Sequence, residues 1–242
     1  IWYLPERRDK LTFIEGVSQN RSITSIEINC DIGTEGWSKL CCIFENNPNL
    51  STLTSKDYEI GHEGAQNLSM ALGHVKQNSL KYLHITDADM NDEQLAVITT
   101  ALRSLPELDS LDLESNNIGR SGCVALGNAL GRLPTSDRID ILYLNKNAID
   151  DGAVHALVEC VVNCPNLKTL SLEHNHLITA AGLRSLSPLF QSCRLSDLYL
   201  EGINFGDEGM IALAEGLVGN KTLKELTFDT HAASITSVGW SA

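Results

Sequence analysis

The chain lacks any run of about eighteen apolar residues, the least a membrane-spanning helix needs, and it has no basic start followed by a short apolar core. A soluble chain without a spanning segment or secretory signal is the expectation. It also lacks a CxxC pair. Its seven cysteines, Cys30, Cys41, Cys42, Cys123, Cys160, Cys164 and Cys193, are odd in number and scattered, which argues against a zinc ribbon or a disulfide framework. Basic side chains are scarce: 18 Lys and Arg stand against 31 Asp and Glu in 242 residues, a net charge of −13. That balance disfavours binding to phosphate backbones or anionic membranes, so neither nucleic acid nor membrane insertion is expected. A basic protein is the natural counterpart. No Ser-His-Asp order, no HExxH and no glycine-rich phosphate loop is present, since Gly119-Arg-Ser-Gly122 lacks the lysine of a P-loop. Neither catalysis nor a cofactor or metal is expected.

Isolated cysteines read most simply as reduced, mostly buried thiols, which places the chain inside the cell, in the cytoplasm. Four glycosylation-type triplets, at Asn20, Asn49, Asn67 and Asn220, point the other way, although such triplets arise often by chance. The chain begins with Ile1, which leaves room for a removed leader or a longer parent.

What the chain has is an internal period. The pattern L-x-x-L-x-L-x-x-N-x-I runs through Leu108, Leu111, Leu113, Asn116 and Ile118, then through Ile139, Leu142, Leu144, Asn147 and Ile149, and again through Leu167, Leu170, Leu172, Asn175 and Leu177. Weaker copies start at Ile23, Leu50, Leu80, Leu195 and Leu223, so the first positions are separated by 27, 30, 28, 31, 28, 28 and 28 residues. Each copy opens with a short apolar–polar alternation, as in Leu111-Asp-Leu113, which is a strand with one buried face. It continues with apolar residues at three- and four-residue steps, such as Ala65, Leu68 and Leu72, which is one face of a helix. The unit is strand, turn, helix.

These residues resemble leucine-rich repeats of the ribonuclease-inhibitor-like subclass over positions 11 to 240, nearly the whole chain. The resemblance implies an α/β leucine-rich-repeat solenoid: a right-handed horseshoe arc with parallel strands on the concave face and helices on the convex face. Eight repeats are expected within residues 23–242, starting near 23, 50, 80, 108, 139, 167, 195 and 223, the last incomplete. Asn116, Asn147 and Asn175 would lie inside the turns as structural residues and satisfy backbone groups there. The ladder should break where the motif departs, at Asp31, Tyr58, Ala88, Ile203 and His231. Gly64, Gly122, Gly152, Gly182 and Gly209 should let the helix start approach the strand layer closely.

The ends are less regular. Leu11–Asn20 matches Ile211–Asn220, with Glu15-Gly16 over Glu215-Gly216. Residues 1–22 therefore read either as the helix of a repeat whose strand is absent or as a cap, with Trp2, Tyr3 and Leu4 folded over the first core layer. At the other end Ile235–Trp240 resembles Ile32–Trp37 but stops at Ala242 with no polar cap. Solenoids usually need one, which predicts a segment of a longer repeat protein.

Strand side chains alternate, so the inner face can be read from the frame. The position between the second and third leucines gives Glu27, Thr54, His84, Asp112, Tyr143, Ser171, Tyr199 and Thr227; the next outward gives Asn29, Lys56, Thr86, Glu114, Asn145, Glu173, Glu201 and Asp229. The position before the second leucine adds Asp197 and Glu225 in the last two repeats. Asp112, Glu114, Glu173, Asp197, Glu201, Glu225 and Asp229 thus gather around Tyr143 and Tyr199, an acidic groove with aromatic anchors. Carboxylates offer charge-assisted hydrogen bonds to Lys or Arg, and tyrosines give contact area at small entropic cost. A polar inner strand face also serves solubility, but partner binding on this surface is the favoured reading.

Other constellations read as structural. His174 and His176 flank the turn residue Asn175; His155 and Glu159 form a one-turn pair on an outer helix; Cys160 and Cys164 fall at positions that are apolar or small elsewhere. Of the adjacent Cys41 and Cys42, at most one can face the core. The expected function is a non-enzymatic interaction scaffold for a basic protein. Repeats of this subclass also occur in Ran GTPase-activating proteins and in nucleotide-binding, leucine-rich immune receptors, which are the alternatives. Ribonuclease inhibition is not expected, since that inhibitor is far richer in cysteine and concave tryptophan.

Overall fold

A computed structural model describes residues 7–73, 80–131, 139–162, 164, 166–192, 194–229 and 235–241. Trp2, Tyr3, Leu4, Cys193 and His231 lie outside the described residues. Among the described residues eight strands form one parallel sheet in sequence order: β1 Ser25–Ile28, β2 Thr52–Lys56, β3 Tyr82–Thr86, β4 Ser110–Asp112, β5 Ile141–Tyr143, β6 Thr169–Ser171, β7 Asp197–Tyr199 and β8 Glu225–Thr227. The helices are α1 Arg7–Ser18, α2 Gly33–Asn46, α3 Gly61–Gly73, α4 Asp92–Thr99, α5 Arg120–Leu130, α6 Asp151–Val161, α7 Ala180–Ser185, α8 Ser187–Ser192, α9 Gly206–Leu217 and α10 Ser237–Trp240. Helices of successive units pack side by side, from α1 on α2 through to α9 on α10.

Curvature follows from two spacings. Parallel strands pair about 4.8 Å apart, whereas helix axes stay about 8–10 Å apart. A stack of such units bends with the sheet inside and the helices outside, the α/β leucine-rich-repeat solenoid. Between the layers runs a ladder in which Leu53, Leu83, Leu111, Leu142, Leu170 and Leu198 are in register, all buried. Each unit buries its apolar face only against its neighbours.

The turn asparagines bind each unit to the one before it. Asn175 donates from Nδ2 to the carbonyls of Leu144 (2.9 Å) and Leu172 (2.8 Å), while its Oδ1 accepts from the N–H groups of Asn147 and Ile149 (both 3.2 Å). Asn147 does the same with Leu113, Leu144 and the Ile118 N–H. Asn116 bonds Ile85 and Leu113, and also the N–H groups of Ala88 and Met90. Asn116 thus ties its turn to the preceding one as Asn147 and Asn175 do; Ala88 has no amide to do the same, and the Ile60 N–H of the unit before it goes to the Ala88 backbone carbonyl (3.2 Å). At Ile203 the position is filled by a buried apolar side chain instead. Asp31 turns its carboxylate to the Gly33 N–H (2.7 Å), and Tyr58 is exposed.

A second tie joins the helix starts. Asp151 of α6 accepts from the Thr179 and Gly182 N–H groups (2.7 and 2.9 Å) at the start of α7. Asp207 of α9 accepts from Thr236 and Gly239 ahead of α10 (2.6 and 3.2 Å), and Asp92 of α4 from Gly119 before α5 (2.6 Å). Each aspartate supplies an acceptor to N–H groups that a helix start leaves unpaired. The Thr236 bonds hold the Asp207 carboxyl below the usual carboxylate range. Glycine is required here: a Cβ at Gly182 or Gly239 would sit 2.5 or 2.6 Å from the aspartate Oδ1.

One repeat position needs correction. In the sixth unit the consensus apolar residue is not Leu177, which is 60% exposed, but Ile178, at 1%. The turn holds one extra residue, and Leu177 instead forms a backbone bridge to Asp150. Gly182 stands four residues after Ile178, as Gly122 stands after Ile118.

Replacing Asn175 by alanine should lower unfolding free energy by about 3 kcal/mol, because a fully buried amide is lost and two N–H and two C=O groups are left unpaired. Urea denaturation measures it; a loss below about 1 kcal/mol would mean that water replaces the amide.

Candidate functional site

Strand pairing turns the sequence rows into physical rows. Asp112 pairs with Tyr143, Tyr143 with Ser171, Ser171 with Tyr199 and Tyr199 with Thr227. Before them run Ser110, Ile141, Thr169, Asp197 and Glu225 in the same register. The ladder continues past the strand ends, since Ser115 N–H donates to Asn145 O (3.0 Å), Lys146 N–H to Glu173 O (2.8 Å) and His174 N–H to Glu201 O (2.7 Å). Side chains some 28 residues apart in sequence are therefore neighbours at about one strand spacing.

Of the seven carboxylates expected on this face, four are already engaged. Asp112 accepts from the Glu114 N–H (3.0 Å), and Glu114 pairs with Lys146 (2.6 Å). Asp197 takes the hydroxyls of Ser196 (2.6 Å) and Thr169 (3.2 Å), and Asp229 the N–H of Gly202 (2.9 Å). Glu173, Glu201 and Glu225 form no ion pair among the described residues. The sequence rows missed this division because the partners come from neighbouring units.

Electrostatics follow the crowding. Burial pushes the Glu173 carboxyl above the ordinary glutamate range, with Glu201 adding to the effect. Burial raises Tyr143, and Asp112, Asp197 and Glu173 push it further; Tyr199 rises for the same reason, with Glu225 and Asp197 behind it. Asp112 is raised by burial despite its backbone bond. Both tyrosines are therefore held as neutral hydroxyl donors.

Between them lies a shallow groove of about 400 Å³, lined by Tyr143, Asn145, Ser171, Glu173, Tyr199, Glu201, Glu225 and Thr227. Ser171 is 1% exposed, and its hydroxyl has no hydrogen-bond partner, although it lies close enough to favour the charged form of Glu173. Asn145 Oδ1 and Thr227 Oγ1 are likewise buried and unpaired. These three uncharged groups were visible in the sequence rows, but nothing there marks an orphaned acceptor. Asp112, Glu114, Asp197 and Asp229 share the face without lining the groove.

The remaining constellations fall outside it. His174 and His176 pack edge to face at 6.0 Å, and His176 Nδ1 meets the Gly202 carbonyl at 2.8 Å. His155 and Glu159 are an exposed pair at 3.3 Å. Cys164 and Cys123 are buried, Cys160 and Cys41 half-buried and Cys42 exposed; burial pushes the Cys123 thiol up to about 12. Among the described residues no helix is long and apolar enough to cross a membrane.

A stack of parallel strands with an open inner face and an outer helical layer defines a solenoid repeat domain. Comparison with known proteins narrows the class. The family model for the leucine-rich repeat matches residues 106–127 and 163–187. The human NACHT, LRR and PYD domains-containing protein 3 is 28% identical over 207 residues, 84% of this chain and 19% of that protein. Human NACHT, LRR and PYD domains-containing protein 5 is 33% identical over 173 residues, 69% of this chain and 14% of that protein. The ribonuclease inhibitor of Sus scrofa is 28% identical over 205 residues, 82% of this chain and 43% of the inhibitor. Actin-Binding Site 2 of leiomodin-1 superposes with a TM-score of 0.43 at 15% identity, over 90% of this chain and 91% of that one, a likeness on which nothing rests below. The chain is a leucine-rich-repeat protein of the ribonuclease-inhibitor-like subclass. It spans about a fifth of the length of the NACHT-containing relatives.

Glu173 and Glu201 end neighbouring strands as like charges, an arrangement worth about 0.2–1 kcal/mol of destabilisation. Because the Glu173 carboxyl is raised in the folded state, the penalty is full above its folded pKa and vanishes below its unfolded one. Glu173→Gln should therefore stabilise the fold by roughly 0.5 kcal/mol at pH 7, with the gain fading as the pH falls through the glutamate range. Thermal unfolding at a series of pH values checks it; a gain that does not change with pH would remove the charge explanation.

Proposed function

We propose that the chain is a non-enzymatic interaction module whose acidic inner face, from β4 to β8, binds a basic segment of a protein partner. One observation carries the reading: Glu173, Glu201 and Glu225 surround two tyrosines and form no ion pair among the described residues, while Glu114 is paired with Lys146 and Asp112, Asp197 and Asp229 are held by N–H and hydroxyl donors. Unneutralised carboxylates beside aromatic anchors suit Lys or Arg from outside. Of the residues named for the site, Glu173, Glu201, Glu225, Tyr143 and Tyr199 make the contact, and Asp112, Glu114, Asp197 and Asp229 supply the surrounding field. Nucleic acid is disfavoured as a partner by the same charge. Scattered cysteines with no CxxC pair suit a reducing, cytoplasmic setting.

The relatives favour one further reading of context. Two of them carry NACHT and PYD domains as well as repeats by name, so the array fits the repeat region of such a receptor. The sequence of the intact parent decides this, by whether it encodes a nucleotide-binding domain.

The partner is to be recovered by pull-down and mass spectrometry with the intact parent protein, and its affinity measured at several salt concentrations. Glu173→Lys and Glu201→Lys should each weaken binding about tenfold and flatten its salt dependence. Unchanged affinity in both variants would sink the assignment of this face.

A further inference from the structure

We infer that Tyr143, Ser171 and Tyr199 form a slot for one arginine side chain of the partner, stacked between the two rings above the serine. The inference rests on the reading of the acidic face and adds the identity of the cation.

Geometry is the first argument. Tyr143 and Tyr199 flank Ser171 on consecutive paired strands, so their backbones stand two strand spacings apart, about 10 Å. A cation between two aromatic faces is held when each ring centroid lies within about 6 Å of the charge. Two strand spacings meet that condition for a flat cation, and a small residue between the rings takes up little of that width. Serine is that residue.

The second argument is independent of charge. The Ser171 hydroxyl is buried at the floor of the groove without a hydrogen-bond partner, a state that costs free energy unless something completes it. Solubility gives no reason for a buried orphan hydroxyl. A guanidinium carries five N–H donors in one plane. Lying between the rings, it meets Ser171 below and carboxylates on either side: Glu173 and Glu201 in the outward row, Glu225 in the row on the other side of the tyrosines. Carboxylate pairs with its fork through two parallel bonds. A lysine ammonium is a compact, strongly hydrated point charge; it gains the carboxylates but neither the stacking nor the planar fork. The crowding that raises Glu173 beside Glu201 is relieved by a cation placed there.

Two acetylated and amidated nonapeptides of glycine and serine, one with three arginines and one with three lysines at the same positions, serve as probes. Each is titrated into the chain with its tyrosine rings 13C-labelled, and affinity is read by calorimetry. The arginine peptide should bind at least about tenfold tighter than the lysine peptide and move the Tyr143 and Tyr199 ring resonances. Tyr143→Leu should abolish the preference for arginine over lysine, and Ser171→Ala should narrow it. Equal affinity for the two peptides, or arginine binding that leaves both ring signals unmoved, overturns the slot. If Glu173→Lys still abolishes equal binding of both, the acidic face survives and only the slot fails. Failure of both peptides to bind removes the slot and the acidic-face reading together. The ring signals of the unaltered chain decide the matter even where a variant folds poorly.

Discussion

Parallel strands pair at about 4.8 Å while helices stay about twice as far apart, and everything else in this molecule follows from that mismatch. It bends the stack, puts the sheet on the inside and compresses whatever the inner strand positions carry. Residues that recur once per repeat become side-by-side neighbours on this surface, whereas on the outer helices they are spread out. A modest excess of acids in sequence therefore becomes a dense cluster in space. The same spacing brings each turn asparagine within reach of the preceding turn, so that register and curvature are fixed by one set of hydrogen bonds. Misplacing one unit by a residue would expose its leucines and break both sets.

Much of this was legible in the sequence because the repeat period encodes register directly. Both inner rows, the leucine ladder and the turn asparagines could be named from spacing alone, since strands at equal phase must pair at equal phase. Where the phase slips by one residue, spacing misleads. Leu177 sits where an apolar residue is expected, yet Ile178 takes the core, and only the glycine four residues later shows the shift. Position gave the acids but not their state. Glu114 is neutralised by Lys146 and Asp229 is held by a backbone N–H of the previous unit, and such pairings depend on side-chain directions that no period records.

Two different uses of aspartate and glutamate emerge. On the outer layer Asp92, Asp151 and Asp207 cap the next helix start, and their charge is stabilising because a helix N-terminus is positive. On the inner face Glu173 and Glu201 meet no such dipole and crowd each other, while Glu225 lies against the Tyr199 hydroxyl. The first group holds units together. The second weakens the fold while leaving charge available to something outside it, and sites where local rules are broken without internal compensation are where function is sought.

The inner face is not uniformly acidic, and that asymmetry bears on solubility as an explanation. At its first end Glu27 is paired with Lys56 at 2.6 Å, and the neighbouring positions are Thr54, His84 and Thr86. At its other end the carboxylates outnumber their cations and enclose tyrosines and an unpaired buried hydroxyl. A requirement for solubility would act on every unit alike, because every unit exposes the same inner positions to water. What distinguishes the two ends is the carboxylates: from β6 to β8 Glu173, Glu201 and Glu225 form no ion pair among the described residues, although each lines the groove. The proposed binding of a basic segment to that stretch would account for the difference between the two ends, which a uniform demand for solubility does not.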